Sequence, residues 1–384
     1  MHKIGLIQKV ITVTLLLGIT TVLYLYTSGY RLEREKDNTI DIEKTGMVSA
    51  KSLPEGASVY IDGKLITATN DTIPGVKQGL HQLKIVKKGF VEWNKDIEVY
   101  EALVTDVTAI LIAQSPKLEP LTTTGARNPI ISPSLKYIAY FSNDNETPGI
   151  WVIPLNNGLT FFRSNPTVVM QDTKFTKYSQ GNSITCSPDE KKLLIEGAEK
   201  TYYLVDLATN TAETILDPEE INLDWETKLK KKRELFLEKI IVEDDYIKET
   251  AKSDDVLWSP DEKKFLYKTE EGTKVQYKVY NMEDPLPIGE KKDNFLFEIE
   301  KTEIPPIISW YSDSFHLLLV RGDIENSKSG NISIIRIDGT NETEIYNNTL
   351  HSNYVYNAPS GDKVIILTTF KSGDQTDLYT ISIR

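Results

Sequence analysis

Two stretches of the sequence are nearly the same: SITCSPDEKKLLIEG at residues 183–197 and DVLWSPDEKKFLYKT at residues 255–269. Both contain Ser-Pro-Asp-Glu-Lys-Lys followed by an apolar run. Proline presets φ at the second position of a turn, and Ser or Asp side chains hydrogen-bond to the turn backbone. The phrase therefore predicts a strand, a tight turn and a second strand, repeated along the chain.

Three weaker copies extend the repeat, and successive copies are 55, 72, 52 and 47 residues apart. Repeats of this length with several short strands are typical of β-propeller blades, which bury their apolar faces against neighbours round a ring. We therefore expect a mainly β fold, with a propeller of about five blades over residues 114–384. Its structural turn residues would be Pro133, Pro188, Asp189, Pro260, Asp261, Asp313 and Pro359.

Closure of the ring can also be predicted. Most copies are followed by a second β-rich run and an outer strand, such as LTFFR (159–163) or AETIL (212–216), but the last copy has none. The segment KLEPLT (117–122), which precedes the first copy, looks like the missing strand. We expect Leu118–Leu121 to pair beside Leu378–Ile383 and to complete the last blade.

The longest interval between copies contains a helical insert. Within PEEINLDWETKLKKKRELFLEKI (about 218–240), apolar residues fall on one helical face. These residues are Trp225, Leu229, Phe236 and Ile240. The pattern predicts an amphipathic helix packed on the ring, the alternative being a partner-binding helix. The basic run Lys230–Arg233 is interpreted as a solvated face rather than a docking site.

The region before the propeller predicts a small antiparallel β-domain at residues 46–113. Asp62-Gly63 lies between two short apolar runs, which is a strong hairpin signal. Strands are expected at 82–90, 95–101 and 104–112. The charged segment 31–45 is interpreted as a spacer.

Here the sequence resembles a known family. Pro54-Glu55-Gly56-Ala57 is the tetrapeptide that names the PEGA domain, and VYIDGK, Pro74-Gly75 and Lys88-Gly89-Phe90 follow in the order of that pattern. The resemblance implies a small β-module of the kind found in bacterial and archaeal envelope proteins, without catalytic activity. Independently of it, Pro54 and Gly56 suit a turn, and no binding role is expected for Glu55.

The repeats also resemble TolB-like and WD-like propeller repeats, whose signature is Trp-Ser-Pro-Asp-Gly. In the two best copies Glu190 and Glu262 replace the glycine, and the fourth copy lacks the proline. Together with the N-terminal membrane anchor that is expected at residues 1–30, the PEGA module and the propeller form a combination that looks like PEGA-domain proteins predicted in small-genome, uncultivated bacteria. This resemblance implies an architecture and no particular activity.

Residues 10–26, VITVTLLLGITTVLYLY, carry no charge, and with their flanks they approach the roughly 20 residues that span a bilayer. Because no A-x-A-like site follows, we expect residues 1–30 to be an uncleaved transmembrane signal anchor rather than a cleaved signal peptide. The C-terminal bulk of the chain would then be extracytoplasmic.

The composition and charge of the chain exclude several classes of partner and of functional site. A net charge of -12 and a pI near 5.1 argue against a nucleic-acid partner. The one cysteine, Cys186, excludes an intrachain disulfide and a thiolate cluster, and a buried structural role is expected for it.

The four histidines form no close pair, His316 is expected to be packed or exposed, and no catalytic motif is present. Acidic clusters at Asn143–Asn145, Glu243–Asp245 and Asp254-Asp255 lack calcium-loop spacing, so no cofactor or metal is predicted.

These features predict a membrane-anchored, single-pass, extracytoplasmic binding or scaffolding protein. Its propeller would contact an envelope polysaccharide or a protein. The alternative is an envelope-glycan hydrolase or lyase, which requires two carboxylates from different blades within about 5–10 Å of each other in the channel.

Overall fold

The computed structural model describes residues 2–27, 30–34, 40–155, 165–238, 245–324, 326–353, 355–370 and 375–384. The chain divides into two compact units. The first comprises residues 1–111 with 284–290, and the second comprises residues 112–283 with 291–384.

The first unit begins with helix α1 (His2–Thr27) and continues as strands. These are β1 (Tyr30–Arg34), β2 (Ile40–Leu53), β3 (Ser58–Ile61), β4 (Lys64–Ala68), β5 (Asp71–Lys77), β6 (Gly79–Val86), β7 (Trp93–Val99) and β8 (Val104–Ile110). One sheet has the order β4-β3-β6-β7, and the other joins β1, β2, β5 and β8. Alternating residues of both sheets, including Val48, Val59, Leu83 and Val107, form one buried core.

The hairpin predicted at Asp62-Gly63 joins β3 to β4. Both residues have positive φ, 51° and 78°, which a two-residue hairpin loop of this hand requires. The prediction of a purely antiparallel domain was wrong, because β8 pairs with β2 in the parallel direction over Met47–Leu53. The long connection between β2 and β8 permits this pairing, and strand signals in the sequence carry no direction.

Helix α1 carries the uncharged stretch. The apolar side chains from Val10 to Leu25 are exposed, and the hydroxyls of Thr14, Thr20 and Thr21 donate to carbonyl oxygens four residues earlier. Among the residues described, no helix combines the length and the apolar character that crossing a membrane requires. The transmembrane anchor predicted at residues 1–30 is therefore not confirmed.

The second unit is built from blades. Within the described residues it contains five four-stranded sheets, each antiparallel with its strands in sequential order apart from the last. Strand β9 (Lys117–Pro120) precedes blade 1, which is β10 (Arg127–Ile131), β11 (Tyr137–Ser142), β12 (Gly149–Pro154) and β13 (Thr167–Gln171). Blade 2 is β14 (Ser183–Cys186), β15 (Lys192–Glu196), β16 (Tyr202–Asp206) and β17 (Thr211–Ile215).

The remaining blades follow an insert of two helices, α2 (Pro218–Leu237) and α3 (Asp245–Lys252). Blade 3 is β18 (Leu257–Trp258), β19 (Lys264–Glu271), β20 (Lys274–Asn281) and β21 (Asp293–Glu300). Blade 4 is β22 (Ile307–Trp310), β23 (His316–Arg321), β24 (Ser329–Arg336) and β25 (Thr343–Thr349). Blade 5 is β26 (Val355–Asn357), β27 (Lys363–Thr368) and β28 (Asp377–Ser382), completed by β9. The outer strand predicted at 212–216 is β17, whereas 159–163 lies outside the described residues and β13 is the outer strand of blade 1.

The predicted closure of the ring is present. Leu118 lies opposite Ile381 and Glu119 opposite Thr380, so the segment before blade 1 is the outer strand of blade 5. The buried Asp377 fixes the end of this strand by accepting hydrogen bonds from the Thr122 hydroxyl and the Gly125 N–H, both at 3.0 Å. We call residues 117–125 the clasp.

Adjacent blades share apolar cores. One cluster joins blades 1 and 2 through Phe141 and Leu193, another joins blades 3 and 4 through Tyr277 and Leu317, and a third joins blades 5 and 1. The packing of neighbouring blades therefore buries the apolar sheet faces that a single isolated blade would expose.

The insert lies between blades 2 and 3. Asp217 caps α2 by accepting from the N–H groups of Glu219 and Glu220, and Pro218 occupies the first turn, as the sequence predicted. The helix ends at Leu237, and Ile240 of the predicted face lies outside the described residues. Of the predicted face, Trp225 is buried, but Leu229 is 37% exposed, whereas Leu237, which was not predicted, is buried.

The repeated phrase forms the same turn in every blade described. In each copy, the residue that follows the Asp position of Ser-Pro-Asp donates its N–H to the carbonyl oxygen three residues earlier. Its φ lies between 58° and 61°. This is a turn followed by a left-handed residue, a conformation that favours glycine. The five residues are Leu135, Glu190, Glu262, Ser314 and Gly361.

Exchanging the two glutamates in this slot for glycine is expected to have opposite effects. Glu262→Gly relieves a strained φ and loses an exposed ion pair with Lys232, so it should raise the free energy of unfolding by about 1 kcal/mol. Glu190→Gly also removes a carboxylate that accepts from the N–H and hydroxyl of Ser134 and from Lys136, in blade 1. It should lower stability by about 1–2 kcal/mol. Denaturant unfolding of the two variants measures this, and shifts of the same sign would contradict the account.

Candidate functional site

The innermost strand of each blade ends at an equivalent residue. In the aligned repeats this residue stands two positions before the proline of the turn. These residues are Ile131, Cys186, Trp258, Trp310 and Asn357. The Trp310 indole donates 2.8 Å to the Leu257 carbonyl of blade 3, and the Asn357 amide donates 2.9 Å to the Trp310 carbonyl of blade 4. Side chains at this level therefore tie the inner strand of blade 4 to that of blade 3, and the inner strand of blade 5 to that of blade 4.

A cavity of about 370 Å³ lies at this end of the inner strands. All five blades contribute to it, chiefly through apolar side chains such as Ile131, Pro188, Leu257, Trp310 and Tyr356. The volume falls within the usual range for small-ligand pockets. We call this space the mouth cavity.

Helix α2 forms one wall of the mouth cavity through Leu229, Lys232, Arg233 and Phe236. Their spacing of i, i+3, i+4 and i+7 places them on one helical face. Phe236 meets the Trp258 ring edge-on at 6.0 Å, which holds the helix against blade 3. The predicted apolar face of the helix therefore faces a cavity along part of its length, where the prediction placed a packed core.

Two polar atoms in the wall lack partners. Asn357 is 4% exposed, and its Oδ1 accepts no hydrogen bond from any described atom. The Trp258 Nε1 is also buried and donates to no described atom. Buried polar groups are nearly always hydrogen-bonded, and an unpaired one costs about 1–3 kcal/mol. Both residues line the mouth cavity, but these two atoms themselves have almost no accessible surface, so their lost hydrogen bonds are a cost to the fold rather than a mark of a ligand.

The charge of the mouth cavity is positive. Lys232 pairs with Glu262, which is the one carboxylate among the described lining residues. The Arg233 guanidinium, which is half-buried, has no ionic partner among the described residues. The interpretation of Lys230–Arg233 as a solvated face holds for Lys230 and Lys231, which are exposed, Lys230 in a surface pair with Asp254 at 3.1 Å. Lys232 and Arg233 line the cavity instead.

A second cavity, of about 490 Å³, lies at the opposite end of the inner strands. Arg127 and Lys328 line it, and no carboxylate is among its described lining residues. Neither of these two cavities has the two converging carboxylates that the glycan-cleaving alternative requires. A third cavity, of about 860 Å³ between blade 2 and α2, is lined by Asp189, Glu213, Glu220 and Asp224, which come from one blade and the helix rather than from different blades.

The predicted turn residues lie in two places. Pro133, Pro188 and Pro260 line the mouth cavity, and Pro359 lies in the equivalent turn of blade 5. The Asp side chains hold the turns together. Asp189 accepts from the Ser187 hydroxyl at 2.7 Å and from the Lys191 N–H, and the Ser187 bond holds the pKa of Asp189 below its ordinary value.

Asp261 makes the same turn contacts and has a buried cation as an additional partner. Lys264 is fully buried, and its Nζ lies 3.0 Å from Asp261, 2.9 Å from Glu283 and 4.0 Å from the centre of the Phe315 ring in blade 4. Burial raises the pKa of Asp261, but hydrogen bonds from Ser259 and Lys263 and the Lys264 charge outweigh it and lower the pKa. This cluster joins blades 3 and 4.

Blade 4 repeats the arrangement with a histidine. His316 is 4% exposed, and its Nδ1 lies 2.7 Å from Asp313 Oδ2. Burial raises the pKa of Asp313, but the facing imidazole and the N–H groups of Phe315 and His316 reverse the shift and lower it. Of the two alternatives for His316, packed or exposed, the packed one is correct.

Cys186 is half-buried at the end of β14, where its Sγ lies 3.0 Å from the Tyr137 hydroxyl. Burial raises the pKa of the thiol and outweighs the opposing effect of the Tyr137 hydrogen bond. These contacts fit the structural role predicted for it.

Alkylation of Cys186 tests this reading. Because the raised pKa leaves less thiolate at any given pH, iodoacetamide should react at pH 7.5 at least tenfold more slowly with the folded chain than with the chain in denaturant. The rate should rise with pH only above the range of an ordinary thiol. Equal rates in folded and unfolded protein would contradict a structural thiol.

The PEGA tetrapeptide forms a turn in the first unit. Ala57 is fully buried, Gly56 has φ +73°, and Pro54 is half-buried. The Lys87 Nζ donates to the Glu55 carbonyl at 2.7 Å, whereas the Glu55 side chain is exposed. The tetrapeptide thus contributes to the fold through its backbone, which forms the turn and accepts the hydrogen bond from Lys87.

Acidic clusters offer no metal site in the described residues, where no group of three or more His, Cys, Asp or Glu could hold an ion. Asp144 accepts from the N–H and hydroxyl of Thr147 within its own loop, at 2.9 and 3.0 Å. Residues 243 and 244 of the other cluster lie outside the described residues.

The sequence analysis did not single out Trp258, Trp310 or Asn357, and it assigned Arg233 to a solvated face. The aligned repeats contain a usable signal, because the two positions occupied by Trp and one by Asn are equivalent. That alignment does not reveal that α2 covers them.

Comparison with protein-family models identifies one part of the chain. Residues 45–112 match the family model of the PEGA domain. Comparison with curated proteins gives no significant match.

Solved structures with a similar chain path include TolB from Acinetobacter baumannii, with 14% identity and a TM-score of 0.27, covering 79% of this chain and 59% of that one. A protein described as a putative TolB from Agrobacterium tumefaciens has 11% identity and a TM-score of 0.24. The match covers 86% of this chain and 99% of that one. An oligogalacturonate lyase from Vibrio parahaemolyticus has 8% identity and a TM-score of 0.31, covering 70% and 97%. Values this low transfer no activity. The chain thus carries a PEGA domain at residues 45–112, and a β-propeller follows it.

Proposed function

We propose that this protein is an extracytoplasmic binding or scaffolding protein whose propeller binds a component of the cell envelope. The observation that carries the proposal is the mouth cavity. Every blade contributes to it, its wall is mostly apolar, and Lys232 and Arg233 of α2 bring positive charge to it. Such a combination of apolar surface and a few convergent polar groups is typical of ligand sites.

We further propose that the protein is attached to the membrane, and two observations support this proposal. PEGA domains are generally modules of envelope proteins, and α1 exposes uncharged apolar surface over residues 10–25. The hydroxyls of Thr14, Thr20 and Thr21 are satisfied by the helix itself, which suits an apolar surrounding. The proposed role of α1 is attachment, with the propeller on the outer side. Alkaline carbonate extraction of cells tests this: the full chain should stay with the membrane pellet, and a chain lacking residues 1–30 should not.

Cleavage of an envelope glycan is the less favoured alternative. Glycosidases place two carboxyl groups about 5–9.5 Å apart across the scissile bond. In the mouth cavity Glu262 alone cannot supply both roles, and it is paired with Lys232.

A co-sedimentation experiment tests the proposal. Purified full chain is incubated with isolated envelopes of the producing cells, sedimented and chemically crosslinked. We expect saturable retention and a defined crosslinked partner. Release of soluble saccharide fragments would favour the cleaving alternative, and absence of any retention would reject the binding function.

A further inference from the structure

We propose that the cavity at the opposite end of the inner strands is an anion site, which takes a saccharide that carries a phosphate or a carboxylate group. We call this space of about 490 Å³ the far cavity. It shares no described lining residue with the mouth cavity, so the inference goes beyond the proposed function and assigns a separate site. Three features lead to it: the charge of the far cavity, the anchoring of its arginine, and its polar lining.

The far cavity is positively charged although the chain as a whole is acidic. Arg127 and Lys328 line it, no carboxylate is among its described lining residues, and the net charge of the chain is -12. Asp377, which directly follows the lining residue Thr376, is engaged by the clasp. Cations of one sign in a concave wall focus a positive potential into the cavity, which attracts anions.

The arginine of the far cavity has a fixed position. The half-buried Arg127 donates to the Ser179 carbonyl, which belongs to the connection between blades 1 and 2, and its guanidinium lies over the Phe141 ring at 5.9 Å from the centre. Neither contact supplies a negative charge, and no carboxylate pairs with Arg127 among the described residues. Because charges that leave water are nearly always paired, a half-buried guanidinium in this setting favours an anionic ligand.

The remaining lining suits a polar molecule. Asn128, Ser352 and Asn353 bring amide and hydroxyl groups to the far cavity, beside the apolar Ile324 and Leu367. A saccharide exposes hydroxyls all round, each of which costs free energy when it is buried without a partner, and side-chain amides can both donate to them and accept from them. The volume also falls in the usual range for small-ligand pockets. The polar lining and the positive charge together select an acidic or phosphorylated sugar over a neutral one.

Calorimetric titration of the full chain tests the site with three probes that share one sugar ring. Glucose 6-phosphate and glucuronate carry the two charged groups in question, and glucose carries neither. We expect both acids to bind saturably and at least about tenfold more tightly than glucose, because bonds to charged groups are the stronger ones. Their affinity should fall as salt is added. Tighter binding of one acid identifies the group that the ligand carries.

Lys328→Gln is the decisive variant, because Lys328 is exposed and its replacement should leave the fold intact. It should weaken the binding of both acids about tenfold. The matched control, Lys174→Gln, replaces an exposed lysine that is not among the described lining residues and should leave both affinities unchanged. Arg127→Gln should remove the preference for the acids over glucose.

The ring signals of two histidines in the NMR spectrum locate the bound acid. His351 lines the far cavity, whereas His316 is buried in the turn of blade 4. Either acid should shift the His351 signals and leave those of His316 in place.

The outcomes separate this inference from the proposed function. Equal affinities for glucose and the acids, or no binding of either acid, would overturn the anion site. Acid binding that survives unchanged in both Lys328→Gln and Arg127→Gln would overturn it too, since the anions would then bind elsewhere on the chain. Envelope retention in the co-sedimentation experiment without acid binding would reject this inference alone. Acid binding without envelope retention would reject the proposed function and leave the anion site standing.

Discussion

Replacing Lys264 by alanine is expected to lower the free energy of unfolding by about 3–5 kcal/mol. The change leaves Asp261 and Glu283, whose side chains are 31% and 15% exposed, without the cation between them. It also removes the contact of Nζ with the Phe315 ring, which reaches from blade 3 to blade 4. Chemical denaturation of the full chain, followed by the fluorescence of its tryptophans, measures the loss.

The matched control is Lys263→Ala, one residue earlier and exposed, which should change stability by less than about 0.5 kcal/mol. A double variant, Lys264→Met with Glu283→Gln, should recover part of the loss because it removes an uncompensated charge. If Lys264→Ala costs no more than Lys263→Ala, the buried cluster does not join the blades.

Breaking the clasp should have the second-largest effect. Asp377→Ala is expected to lower the free energy of unfolding by about 3 kcal/mol, because it leaves the buried Thr122 hydroxyl and the half-buried Gly125 N–H without their acceptor. Since these bonds hold the first and last parts of the propeller together, the unfolding rate should rise as well. Thermal and stopped-flow unfolding measure the two quantities.

Asp362→Ala is a suitable control in the same blade, since its carboxylate serves only the local turn through Ser360 among the contacts described. It should cost less than about 1 kcal/mol. Equal losses for Asp362→Ala and Asp377→Ala would show that the clasp contributes nothing beyond an ordinary surface turn.

The clasp and the repeated turn illustrate what the sequence could predict. A phrase with Pro and Asp at fixed positions specifies a turn through local chemistry, so its recurrence located the blades. The last repeat lacked an outer strand and a spare one stood before the first repeat, so the pairing of Leu118 with Ile381 followed from counting. Both inferences depend on local chemistry and order along the chain.

Other features depend on packing in three dimensions and could not be predicted. Helical periodicity showed which face of α2 is apolar, but it could not show that Leu229 and Phe236 face a cavity while Leu237 is buried. Strand patterns carry no direction, so the parallel pairing of β2 with β8 was missed. An unpaired atom such as Asn357 Oδ1 is defined by its neighbours, and no sequence pattern marks it.

Glu190 and Glu262 show a further limit. They occupy equivalent positions in nearly identical phrases and share a left-handed φ, yet one reaches a neighbouring blade and the other a helix. Local sequence fixes the backbone of the turn. What surrounds the turn decides whether the strain is compensated.

Crosslinking from inside the mouth cavity tests the account most directly. A photoreactive phenylalanine analogue is placed at Leu229, which lines the cavity, or at Leu223, which lies on the same helix, is 65% exposed and is not among the lining residues. After irradiation of full-length protein with isolated envelopes, we predict one saturable adduct from position 229 and none from 223. The same adducts from both positions, or none from either, would contradict a ligand site at the mouth of the ring.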